Sequence, residues 1–130
     1  MICGTEKAFT SINRETMYKF LLSLKNKNNG SFSMHKDGET DVRFSNNKNF
    51  GTYAKRATYC ALSVAKLLNL LTPELISGAA EFVGKCQTYE GGMGGFPGNE
   101  AHGGYTFCGF AALILLNRFD VVDLPLLIVK

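Results

Sequence analysis

With 130 residues and 45% hydrophobic side chains, the chain is long enough for one modest core and too apolar to be disordered. A formal charge of +3 is too slight for a nucleic-acid surface, and no basic cluster carries interleaved aromatics. No apolar run approaches the roughly 18 residues a membrane span needs, so no span is expected.

Residues 1–8 lack an apolar leader core, and residues 1–10 look cut from something upstream. The first clear element follows. Asn13 is a suitable N-cap, and Glu15 falls in the first turn. Met17, Phe20, Leu21 and Leu24 then recur at helical spacing, which predicts an amphipathic helix ending near residues 25–27 and stopped by Asn28-Asn29-Gly30. Residues 31–43 read as a polar loop with an Asp37-Gly38 turn. Residues 44–57 are Asn-rich and without period. From Thr58 a second, more apolar helix is predicted.

Thr72-Pro73-Glu74 is a strong helix start, an N-cap followed by proline at the first helical position and an acid. Leu75, Ile76, Ala79, Ala80, Val83 and Cys86 predict one continuous stripe from there. A run dense in glycine, residues 91–98, then leads to His102 and a nearly all-apolar helix from about residue 104 to 117. A helix without a polar face should be buried. The glycines predict a ligand-facing turn at its N-terminus, where unpaired N–H groups suit phosphate. Asp123-Leu124-Pro125 looks like one more helix start.

Cys3, Cys60, Cys86 and Cys108 form no C-x-x-C pair and read as buried, reduced thiols of a cytosolic protein. With His35 and His102 they make no recognised zinc spacing. Residues 25–27 and Lys55–Arg56 read as solvated charges.

The elements alternate amphipathic and apolar, and the alternation hides a repeat. A shift of 61 places Gly30 on Gly91 and Phe32 on Met93; a shift of 48 places Thr58 on Thr106, Cys60 on Cys108 and Asn69 on Asn117. The shifts differ by 13, so the first copy carries 13 extra residues between Arg43 and Thr58. The units are expected at about 13–70 and 73–117, with an atypical insertion at about 44–57. A two-helix unit with an apolar inner helix needs stacked neighbours, so the chain is expected to be a fragment of a larger array.

Residues 91–113, GGMGGFPGNEAHGGYTFCGFAAL, together with TSINRETMYKFLLSL, GSFSMHKDGETDVR and TYCALSVAKLLN, closely resemble the β subunits of protein farnesyltransferases. The E-A-H-G-G-Y-T-F-C-G string is the most specific part. The resemblance implies an all-α fold, part of an α/α toroid of prenyltransferase-type helical hairpins. It implies transfer of farnesyl from farnesyl diphosphate to the cysteine of a C-terminal CaaX motif, in the cytoplasm, by a heterodimer with an α subunit. It implies that His102 contacts the diphosphate and that Gly103, Gly104 and Tyr105 complete that segment. Cys108 would lie against the isoprenoid, Tyr59 would belong to an aromatic wall, and Arg43 would stand near the isoprenoid and the peptide terminus. On chemistry alone, His102 serves equally well as a structural hydrogen-bonding group, Tyr59 and Cys108 as packing residues, and Arg43 as an ion-pair partner of Asp41 or Glu39. Zinc is implied for the complete enzyme, but the family's Asp-x-Cys pair and distant histidine are not found here. The chain alone is therefore expected to be inactive. The alternative is a truncated or spliced, non-catalytic module that binds the α subunit or a lipid. The insertion reads as either a true loop or retained intron sequence.

Overall fold

The computed structural model describes residues 4–34 and 54–128. Cys3, His35, the Asp37-Gly38 turn, Arg43 and most of the insertion lie outside the described residues.

Among the described residues seven helices follow in order, and the ends of most are written in the sequence. Helix α1 (Glu6–Thr10) is capped by the Thr5 hydroxyl, which accepts from the Ala8 N–H. Helix α2 (Arg14–Leu24) is capped as expected by Asn13, whose side chain accepts from the Thr16 N–H. Helix α3 (Ala54–Leu67) begins four residues before the sequence suggested, so residues 54–57 of the expected insertion form its first turn.

The stripe expected from Thr72 is broken. Helix α4 (Pro73–Ile76) ends at Ser77, and α5 (Ala79–Lys85) restarts after Gly78 in the left-handed region. The break has a tertiary cause: Gly30 is also left-handed, and a Cβ built on it would fall on the Gly78 main chain. Only glycine permits that approach. Helix α6 (Gly103–Leu116) and α7 (Leu124–Ile128) complete the order.

Helix α3 packs along α6, with α2 against α3 and α5 against α6. The row Ala57, Ala61, Ala65 on α3 meets Leu21, Leu24, Phe32 and Leu75 in one core cluster. Leu62 points into the other, with Phe82, Val83, Met93, Ala112 and Leu113. Small side chains on one stripe let the helices approach, and α3 thus links both clusters.

The two halves reuse the same devices at the shifts of 61 and 48. The Phe32 N–H donates to the Thr58 hydroxyl at 3.1 Å, and the Met93 N–H donates to the Thr106 hydroxyl at 2.9 Å. Asn69 and Asn117 both end an inner helix in the left-handed conformation, with φ of 55° and 52°. Behind each, an N–H reaches back to close the helix, Leu70 to the Ala65 carbonyl and Arg118 to the Leu113 carbonyl. Isolated antiparallel bridges, Lys25 to Phe32 and Gln87 to Met93, narrow both loops.

At the bridges sit two clamps of similar role, one residue out of step with the shift of 61, which carries Lys25 onto Cys86 and not onto Gln87. Lys25 was expected to be solvated; instead it is half-buried, and its ammonium donates to the Leu75 and Ser77 carbonyls at 2.8 and 2.7 Å and lies 4.9 Å from the Phe32 ring centre. In the second half Gln87 donates to the Asp123 carbonyl at 2.9 Å and accepts from the Asp123 N–H at 2.8 Å. Each clamp ties one loop to the start of the following helical unit.

Helix α6 is less enclosed than its composition suggested. Gly109, Ala112 and Leu113 are buried, but Phe107 and Ile114 are 62% and 54% exposed. Its neighbours α3 and α5 cover only one side, and the strip two turns long from Phe107 to Ile114 faces outward. The expectation of buried thiols likewise holds for Cys86 alone: Cys108 is half-buried and Cys60 is exposed. Cys60 lies off the α3 face that carries Ala57, Ala61 and Ala65. No helix among the described residues is long and apolar enough to cross a membrane.

Candidate functional site: the cleft between α3 and α6

His102 stands at the junction of loop and helix, fixed from three sides. Its N–H donates to the Met93 carbonyl at 3.0 Å, and its carbonyl accepts from the Thr106 N–H at 2.8 Å and the Thr106 hydroxyl at 3.0 Å. Its Nδ1 accepts from the Gly104 N–H at 3.0 Å, making the imidazole the side-chain cap of α6. An accepting Nδ1 puts the ring proton on Nε2 in the neutral tautomer. The donor that remains therefore faces away from the helix. Glycine at 104 leaves room for this fold-back, since a Cβ there would come within 3.3 Å of the imidazole and press on it. The His102 and Tyr105 rings lie 5.3 Å apart.

These groups open onto a cleft of about 280 Å³ lined by Arg56, His102, Gly104, Tyr105, Phe107 and Cys108. Four of the expected site residues, His102, Gly104, Tyr105 and Cys108, therefore share one wall. Gly103 sits exposed at the helix start and is not part of the lining. Tyr59 reaches the cleft indirectly, its ring meeting Phe107 edge-on at 5.7 Å. Arg43 lies outside the described residues. The wall grades from polar to apolar along α6. His102 and Tyr105 lie at the start, with Phe107 and Cys108 one to two turns on, about 9 Å from His102 to Cys108 along the axis.

Arg56, read as a solvated charge, is exposed, and it also lines this cleft. The 13-residue shift that measures the insertion carries Arg43 onto Arg56.

The glycine-rich turn is not the floor of the cleft. Gly91 packs on the Leu126 main chain, Gly92 on Ala101 and Gly94 on the Asn99 main chain, and none of residues 91–98 lines the cleft. The density of glycine serves close backbone packing that positions the helix start.

A second hollow, of about 320 Å³, lies by Arg14, Glu15, Tyr18, Asn69, Leu70 and Thr72. Its polar groups are committed within the fold. Arg14 donates to the Leu68 and Asn69 carbonyls, Tyr18 bonds Thr72, and Glu15 pairs with Lys19. Among the described residues no three His, Cys, Asp or Glu are grouped to hold a metal, so the zinc implied by the sequence resemblance finds no ligand set there.

The helical hairpins and the cleft at the head of an inner helix accord with a wider comparison. The prenyltransferase alpha-alpha toroid domain matches residues 1–129, and the chain belongs to that family. Within it, the chain is 49% identical over 125 residues to protein farnesyltransferase subunit beta of Pisum sativum, covering 96% of this chain and 26% of that protein. The Arabidopsis thaliana protein of the same name is also 49% identical, over 121 residues, 93% of this chain and 22% of its own length. Geranylgeranyl transferase type-2 subunit beta of Candida albicans is 34% identical over 110 residues, 85% of this chain and 28% of its own length. The chain thus spans about a quarter of the length of the curated relatives it matches.

Proposed function

We propose that this chain is part of the β subunit of a protein farnesyltransferase and supplies the wall that receives the headgroup of farnesyl diphosphate. The complete enzyme would act as a heterodimer with an α subunit on proteins ending in a CaaX motif. In the reaction, the bond from farnesyl C1 to the diphosphate oxygen breaks, with its electron pair leaving on diphosphate. A C–S bond forms to the CaaX cysteine, whose thiol proton is lost.

The observation that carries this reading is the graded cleft, where an imidazole with an outward-facing donor precedes Tyr105, Phe107 and Cys108 on one helix. His102 would donate from Nε2 to a diphosphate oxygen as negative charge gathers on the leaving group. Tyr105 would add a hydroxyl, and Phe107 and Cys108 would meet the first part of the isoprenoid. A volume of about 280 Å³ suits a headgroup and the start of a chain. Small-molecule sites usually run from roughly 300 to 1,000 Å³.

Calorimetric titration of the chain with farnesyl diphosphate and with farnesol tests the reading. The diphosphate should bind more tightly, and His102→Ala should lower its affinity about tenfold while leaving farnesol unaffected. Equal affinity for the two ligands would contradict it.

A further inference from the structure

The repeat is visible in burial as well as in sequence. At the shift of 48, α3 and α6 should be enclosed alike, position for position. On the side facing the outer helices they are. Ala61, Ala65, Gly109 and Leu113 are all buried; Ala61 and Ala65 pack with Leu21 and Leu24 of α2, and Leu113 with Phe82 and Val83 of α5.

Two stripes break the match, in opposite directions. On α3, Tyr59 is half-buried and Leu62 buried, whereas their counterparts on α6, Phe107 and Phe110, are exposed and half-buried. Conversely, Cys60 and Leu67 are exposed and Val64 half-buried on α3, whereas Cys108 and Leu115 are half-buried and Ala112 buried on α6. The packing of the pair explains both differences. Leu62 and Ala112 share one core cluster, with Tyr59 and Leu115 packed against it. So α3 spends the first stripe on this contact and α6 spends the second. Each helix leaves bare the stripe that the other uses.

We propose that a second copy of this chain docks head to tail on the first, its open α3 stripe (Cys60, Val64, Leu67) seated on the open α6 stripe (Phe107, Phe110, Ile114). The contact repeats one that the fold already makes, between the same two positions of the unit. Both stripes keep helical spacing, i, i+4, i+7 on α3 and i, i+3, i+7 on α6, and neither contains a charge. The shift places Ile114 where α3 has Lys66, so the open α6 stripe is the more apolar of the pair. Cys60 and Val64 are small enough to let the Phe107 and Phe110 rings approach. Because the two faces differ, the contact is heterologous. Every docked copy still offers one free stripe at each end of the assembly, and growth continues until a ring closes. The docking holds whatever the cleft binds.

Sedimentation velocity on the full chain tests it. The mass should rise with concentration beyond that of a single chain. Ile114→Arg blocks the α6 stripe and Leu67→Arg the α3 stripe. Both side chains are more than half exposed, so both variants should fold, which circular dichroism and urea unfolding check. Phe107 also lines the cleft and is left unaltered. Each variant alone should stay monomeric. Mixed in equal amounts, each supplies the stripe that the other lacks, and a dimer should form that grows no further. An unaltered chain that stays monomeric at every concentration would overturn the proposal and leave the stripe to another occupant, such as a further helical hairpin of a longer chain. Association of either variant by itself would overturn it in favour of a two-fold or unspecific contact. A mixture that stays monomeric would overturn it as well.

Discussion

Replacing Thr58 by valine keeps the side chain's volume and removes its hydroxyl. The Phe32 N–H, which donates to that hydroxyl at 3.1 Å, would then be left without this acceptor in a place where both residues are fully buried. An unsatisfied buried donor costs about 1–3 kcal/mol. Taking about 2 kcal/mol, the ratio of folded to unfolded chain should drop about thirtyfold. The equivalent change in the second half, Thr106→Val, removes the acceptor of the Met93 N–H, at 2.9 Å. Thr106 is only half-buried, so water can take over part of that bond, and the loss should be nearer 1 kcal/mol. Thr58→Ser retains the hydroxyl and should lose only about 0.8 kcal/mol for the missing methyl. Urea unfolding followed by circular dichroism reads all three, with an unchanged slope showing that the unfolded state is the same. A Thr58→Val chain as stable as the parent, or one less affected than Thr106→Val, would refute the reasoning that these threonines hold loop to helix.

Gly30→Ala combines a left-handed backbone with a Cβ placed on the Gly78 main chain, and should cost about 3 kcal/mol or more. Gly98→Ala is also left-handed but meets open space, and should cost only about 1 kcal/mol; equal losses in urea unfolding would remove the Gly30–Gly78 contact as the cause of the α4–α5 break. Burial holds the Lys25 ammonium below its ordinary 10.5, an effect Glu81 partly opposes. The unfolded chain then keeps that proton to higher pH than the folded one, so the lysine's contribution to stability rises as pH climbs from the folded-state value toward 10.5. The stability difference between the chain and Lys25→Met should widen over that interval, and a narrowing would contradict the assignment.

Local chemistry was the legible part of this molecule. The caps at Asn13 and Thr72 were readable because a short polar side chain at a helix start has one main use. The shifts of 61 and 48 foretold which residues would share a role, down to the left-handed pair Asn69 and Asn117. What escaped depended on distant neighbours. The stripe from Leu75 to Cys86 reads as one helix, because nothing within it reveals that the Gly30 backbone will press on Gly78. The glycines at 91–94 looked like a ligand floor because a glycine needed for backbone packing and one needed for a ligand are identical in sequence. Lys25 looked solvated for a similar reason: a charge near a helix end gives no sign of whether a carbonyl cluster lies opposite. His102, Gly104, Tyr105 and Cys108 converge because helix periodicity and one capping interaction suffice to bring them together.

The central claim concerns where the headgroup of a prenyl diphosphate rests, and a crystal structure of the chain bound to a non-hydrolysable farnesyl diphosphate analogue tests it most directly. The account predicts diphosphate oxygens within about 3 Å of the His102 Nε2, with the first isoprene unit against Phe107 and Cys108. An analogue seated anywhere other than the α3–α6 cleft, or lying in it with its diphosphate turned away from His102, would contradict it.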